Sequence, residues 1–154
     1  MVRRYSWMLW GLAPVVGCGP QPAPSVRPDP VGSWAACYEL RLGPWEPERS
    51  GFQVPRVIHL DSRNAGNGYK RAAPRLHAPA PYQRITFDAR WRPFAMDSLR
   101  VIWSDGFGGL GVLLTPDGDS LIGRVRELHD VPGPVFPSAP VTAARVTCPD
   151  SLAS

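Results

Sequence analysis

The sequence predicts an all-β fold in one domain, a small antiparallel meander barrel, with a β-sandwich as the alternative. Three observations carry this. Apolar and polar residues alternate with a period of two in several short runs, the pattern of half-buried strands. Gly, Pro, Asn and Asp separate those runs at short intervals. No window has the 3.6-residue period of an amphipathic helix. A chain of 154 residues buries one modest core and not two. Its 15 glycines and 19 prolines exceed ordinary usage but fall short of the roughly 25–30% that marks unstructured low complexity, so the excess belongs in tails and turns.

The amino-terminal segment comes first. Arg3 and Arg4 open it with positive charge, Tyr5 to Val16 carries no charge, and Val15-Val16-Gly17-Cys18 ends the run with small residues before a cysteine. This is the layout of a secretory signal. A membrane-spanning helix needs about 20 apolar residues, whereas Pro14, Gly17, Gly19 and Pro20 interrupt this run. Val15 to Cys18 resembles the lipobox of bacterial lipoproteins, in which an aliphatic residue, a small or aliphatic residue and Gly, Ala or Ser precede Cys. The resemblance implies that residues 1–17 are a signal peptide and that Cys18 becomes a diacylglyceryl-modified, acylated amino terminus. Two or more acyl chains, at about 0.8 kcal/mol per buried methylene, attach a protein stably to a bilayer. Gly19 is not the aspartate that retains some of these lipoproteins at the inner membrane, so the outer membrane is expected where there is one. Arg3-Arg4 followed by Tyr5-Ser6-Trp7 fits twin-arginine export poorly.

Residues 18–31 then form a tether. Five prolines between Gly19 and Pro30 leave almost nothing to bury and favour extended polyproline II. At about 3.1 Å per residue this holds the domain roughly 35 Å from the bilayer.

Residues 32–149 are the predicted barrel, and residues 150–154 a tail. Gly32 to Leu42 is the first strand, with Trp34, Ala36, Tyr38, Leu40 and Leu42 on the core face and Ala35, Cys37, Glu39 and Arg41 opposite. Gly43 to Gly51 turns. Val54 to Leu60 is a second strand, whose start Pro55 confines to an edge or bulge. Asp61 to Tyr82, rich in Pro, Gly and Asn, reads as a mobile loop; the alternative is a tight turn at Asn67-Gly68 with a short strand from Tyr69 to Ala73. Its Arg63, Lys70, Arg71 and Arg75 read as a solvated face.

Arg84 to Trp91 is a strand with Ile85, Phe87, Ala89 and Trp91 inward, ended by Arg92-Pro93. Ser98 to Ser104 follows with Leu99, Val101 and Trp103 inward. Asp105-Gly106 turns it, Leu110 to Leu114 runs back, and Thr115 to Asp119 has proline and Asp-Gly where a hairpin turn uses them. Leu121 to Leu128 is a long strand, the proline-rich Pro132 to Pro140 is a rigid crossing, and Val141 to Cys148 is the last strand.

If Cys18 carries lipid, Cys37 and Cys148 remain, an even number in an oxidising compartment, and a disulfide between them is expected. It would lie outside the barrel interior, because Cys37 faces away from Trp34, and would fasten the first strand to the last. The chain-entropy model values such a link at about 4–5 kcal/mol at most. No further Cys or His nearby in sequence completes a zinc set.

Gly32-Ser33-Trp34 at the opening of the first strand resembles the Gly-x-Trp signature of the lipocalin and calycin barrels. That resemblance implies a Trp34 that plugs the barrel base and a late arginine, Arg145 or Arg124, across it. The span from Trp34 to Cys148 is short for eight full strands and a ligand cavity, so a barrel filled by its own side chains is expected.

The remaining motifs are structural. Gly106 to Gly111 matches Gly-x-Gly-x-x-Gly, but a short strand and a turn follow where dinucleotide binding needs a helix in a parallel unit. His59, His77 and His129 share no spacing, and no nucleophile elbow surrounds Ser104. Asp117-Gly118-Asp119 lacks the later carboxylate of a calcium loop. Sixteen arginines and one lysine dominate the charge, yet without Arg3 and Arg4 only 15 basic residues face 13 acidic ones, too weak a field for nucleic acid.

The expected protein is therefore an exported envelope lipoprotein that acts by binding, not catalysis, without cofactor or metal. An interaction or structural module meeting an envelope protein leads. A lipocalin-like carrier of a small apolar ligand is the alternative, with Trp91 and Trp103 lining the cavity and Arg90 or Arg100 at its rim. A hydrolase is third.

Overall fold

In the computed structural model, which describes residues 34–47, 50–95, 97–130 and 135–152, eight antiparallel strands close into a barrel. They are β1 (Cys37–Leu42), β2 (Val57–Gly66), β3 (Tyr69–His77), β4 (Thr86–Phe94), β5 (Ser98–Ser104), β6 (Gly108–Asp117), β7 (Ser120–His129) and β8 (Ser138–Val146). Each strand pairs with the next in sequence, and β1 also pairs with β8, from Cys37↔Val146 to Leu42↔Val141. This is the calycin-like meander barrel expected, not the sandwich. Residues 1–33, which include the expected signal peptide, Cys18, the expected tether and Gly32-Ser33, lie outside the described residues.

Alternation puts one face of every strand inside. Tyr38 and Leu40, Ile58 and Leu60, Phe87, Ala89 and Trp91, Leu99, Val101 and Trp103, and Leu110, Val112 and Leu114 all belong to one buried cluster. Ala139, Val141 and Ala143 on β8 complete the same buried cluster. Both tryptophans are 0% exposed.

Several elements depart from the sequence reading. Asp61 to Tyr82 is mostly not a loop, because β2 runs on to Gly66 and β3 returns from Tyr69. Asn67 (φ 51°) and Gly68 (φ 75°) provide the two positive φ angles of a type I′ hairpin turn. That hairpin supplies the eighth strand. Its charges are held locally: Arg63 pairs with Asp61, Arg75 with Asp88, and Lys70 donates to the Ser62 carbonyl.

β1 starts at Cys37, later than Gly32, and Leu42, on the core face opposite Val141, is 38% exposed at the barrel's end. Ile85 precedes β4 and is exposed, and β4 continues through Pro93 to Phe94. Pro116 lies within β6, paired with Leu121, and Gly118-Asp119 alone makes the turn. Cys148 falls two residues beyond β8.

The disulfide between Cys37 and Cys148 forms, with Cα atoms 5.1 Å apart. Cys37 is buried but stands apart from the core cluster, since its neighbours Tyr38 and Leu40 take the inward positions. Both barrel ends are covered. At the disulfide end, Trp34 packs against the core and its carbonyl accepts from the Tyr38 hydroxyl; the Arg145 guanidinium lies 6.0 Å from the Tyr38 ring centroid. Arg124 is elsewhere, on the outer face, donating to Ser138 Oγ. At the other end the β1–β2 connection folds inward. Ser50 Oγ and the Gly51 N–H donate to Glu127 Oε1, and Phe52 sits 5.9 Å from Phe87. Among the described residues no helix is long and apolar enough to cross a membrane.

Candidate binding groove

Inside the barrel the two buried indoles, Trp91 and Trp103, find backbone partners. Trp91 Nε1 donates to the Asp61 carbonyl and Trp103 Nε1 to the Pro74 carbonyl, each at 2.8 Å. Both carbonyls come from stretches where the register shifts, between Leu60 and Asn64 on β2 and between Ala72 and Leu76 on β3. Bulges free backbone groups from the ladder, and the indoles satisfy them. Arg90 and Arg100, read from sequence as rim residues, lie on strand faces opposite to the inward Trp91 and Val101.

A concavity of about 1100 Å³ lies on the outer face of β5, β6 and β7. Its floor is low because Gly111 has no side chain; on either side it pairs with Ile102 and Arg126. A Cβ at Gly111 would meet Leu128 at 3.2 Å, so Leu128 leans over the gap. Arg100, Arg124 and Arg126 line the groove. Arg100 and Arg126 have no ion-pair partner among the described residues. Around them are exposed apolar side chains, among them Leu113, Phe107 (76% exposed) and Val135 (81%). Glu127 and Asp130 also line it, toward the end of β7. Exposed apolar side chains set among charged ones in a concavity are the mark of an interaction site.

The groove also holds residues considered for catalysis. Ser104 and His129 both line it, whereas His59 is on β2 and His77 is beside Gln83 at the end of β3. Ser104 Oγ accepts from the Gly106 N–H, and His129 Nε2 contacts Glu127 Oε2 at 3.1 Å while its ring stacks on Phe136. Ser104 and the residue beside His129 are separated by β6, a lateral distance of about 10 Å at two strand spacings. No Ser–His hydrogen bond joins them. The Gly106–Gly111 stretch is a β5–β6 turn and strand, with Gly106 at φ 104° and Asp105 Oδ1 accepting from the Phe107 and Gly108 N–H groups. Those two backbone bonds hold the Asp105 carboxyl below its usual range.

Sequence reasoning missed the groove. Its residues are the outward members of three strands, and alternation alone assigns such positions to solvent. The one available signal was the apolar content of that face, Ile102, Leu113, Ile122 and Leu128, which a solvated strand face does not need.

No protein-family model, no curated protein and no solved structure matches the chain.

Proposed function

We propose that this chain is an exported lipoprotein, anchored through Cys18 to a membrane, the outer one where there is one, whose barrel acts by binding an envelope protein through the groove over β5–β7. The observation that carries this reading is the meeting of Arg100 and Arg126, without ion-pair partners among the described residues, with exposed Phe107, Leu113 and Val135 in one concavity. A flat bilayer would not fill such a concavity. An extended segment bearing acidic and apolar side chains would, and charge complementarity would set its register and speed its association.

The carrier alternative needs a cavity around Trp91 and Trp103, and both indoles are instead packed and hydrogen-bonded within the barrel. That favours the outer face as the working surface.

The test is photo-crosslinking in cells from an amino acid placed at Leu113, with Arg75 on β3 as the control position. The reading expects a discrete protein adduct from Leu113, lost with Arg100→Glu and Arg126→Glu together and weakened by salt. Equal labelling from both positions, or an adduct indifferent to both charge reversals, overturns it. Anchoring is tested separately: a Cys18→Ala form that still incorporates radioactive palmitate removes the lipobox reading.

A further inference from the structure

Strand pairing assembles a set of donors that sequence separation conceals. On β1, Cys37 faces away from the core; directly opposite it on β2 stands His59, and on β8 its partner is Val146, two residues before Cys148. His59 is outward because Ile58 and Leu60 on either side of it are fully buried. β1, β2 and the segment just beyond β8 thus present Cys37, His59 and Cys148 side by side. The two sulfurs and the imidazole nitrogen all lie within 4.8 Å of one another.

We propose that the reduced protein binds one zinc ion through Cys37 Sγ, Cys148 Sγ and an imidazole nitrogen of His59. Two thiolates and one imidazole are a recognised zinc donor set, in which three protein ligands leave a fourth position for water. Zinc-to-sulfur distances of about 2.3 Å and zinc-to-nitrogen distances of about 2.0 Å require the three donor atoms to lie within about 4 Å of each other in a tetrahedral site. The donor atoms, all within 4.8 Å of one another, reach this separation once the sulfur–sulfur bond is broken, when the two sulfurs part and the imidazole closes by up to about 1 Å. Asp61, the nearest carboxylate along β2, is engaged by Arg63, whose backbone N–H and Nε bind its two oxygens at 2.8 and 2.5 Å, so it is not the fourth ligand. Cys148 and His59 are both half-buried on the outer surface, which gives the ion a path in.

Disulfide and metal are mutually exclusive states of this site. A dithiol reductant supplies two electrons and two protons to the Cys37–Cys148 bond and becomes a disulfide itself. Zinc then displaces the two thiol protons to bind the thiolates. The metal takes over the link between the strands that close the barrel, so the cluster fastens the same seam in either redox state.

The probe is Co²⁺, titrated into the exported domain reduced with a phosphine, followed by competition with Zn²⁺. The expected result is one ion per chain, with visible bands of tetrahedral cobalt and a near-ultraviolet thiolate charge-transfer band, all erased by zinc and absent from the disulfide form. His59→Ala leaves the disulfide and the core intact and is expected to weaken binding at least about a hundredfold, since even residues one shell further out commonly contribute about 10–100-fold. Cys148→Ser is expected to abolish the charge-transfer band. Three results overturn the proposal: no charge-transfer band in the reduced wild type, His59→Ala binding as tightly as wild type, or a barrel lost on reduction by circular dichroism that zinc does not restore.

Discussion

The indole N–H of Trp103 on β5 donates to the carbonyl oxygen of Pro74 on β3, two strands away across the barrel interior. Pro74 has no N–H to offer a ladder, and it sits where the β3–β4 register shifts. The bulge and the tryptophan are therefore one device, since either alone would leave a buried polar group unsatisfied. Trp103→Phe keeps most of the apolar volume but orphans that carbonyl, and is expected to cost about 1–3 kcal/mol. A urea midpoint within error of wild type would show that the bond contributes nothing.

Glu127 fastens the β1–β2 connection over the barrel's open end. Its Oε1 accepts from Ser50 Oγ at 2.5 Å and from the Gly51 N–H at 3.2 Å, and Ser50 is buried. Hydrogen bonds to a charged acceptor are worth about 1.5–3 kcal/mol, so Glu127→Ala is expected to lower stability by about that much. Amide exchange locates the effect: protection should fall at Gly51 and Phe52 and hold on β5. Uniform loss across the barrel would contradict a local latch.

Two glycines near the start of β6, its second and fourth residues, differ in their tolerance. Gly109 has φ 143°, and a Cβ there would overlap the Trp103 carbonyl oxygen. Gly111 has ordinary backbone and meets only the end of Leu128. Gly109→Ala is expected to cost about 3 kcal/mol or more, by the combined steric and backbone penalty. Gly111→Ala should stay within about 1 kcal/mol while raising the groove floor. Equal midpoints in thermal unfolding would refute the distinction.

Asp105 makes the β5–β6 turn sensitive to acid. The Phe107 and Gly108 N–H groups bind its charged form and depress its folded pKa. A depressed carboxyl stabilises the turn fully above its unfolded pKa, about 3.9, and the contribution disappears as pH falls through the lower folded value. An NMR titration should place the Asp105 midpoint below that of a model peptide, with the Phe107 and Gly108 amides following it. A midpoint at or above the peptide value would reject the assignment.

The amino-acid order alone determined the all-β class, the inward residues of β5 and the disulfide partners. Period-two alternation is a local property, and Ser98 to Ser104 shows it cleanly between turn residues, so the predicted and observed strands coincide. β3 was illegible for the opposite reason: Pro74, Lys70, Arg71 and Arg75 break the alternation, and only pairing with β2 and β4 around a type I′ turn makes the segment extended. Tertiary structure also decided what no local pattern encodes. Closing the barrel sends Trp91 and Trp103 to backbone carbonyls exposed by bulges, gathers the outward residues of β5, β6 and β7 into a groove, and sets His59 beside Cys37 and Cys148. Each is a relation between strands, fixed by register, and register depends on which faces can be buried together once the whole sheet has closed.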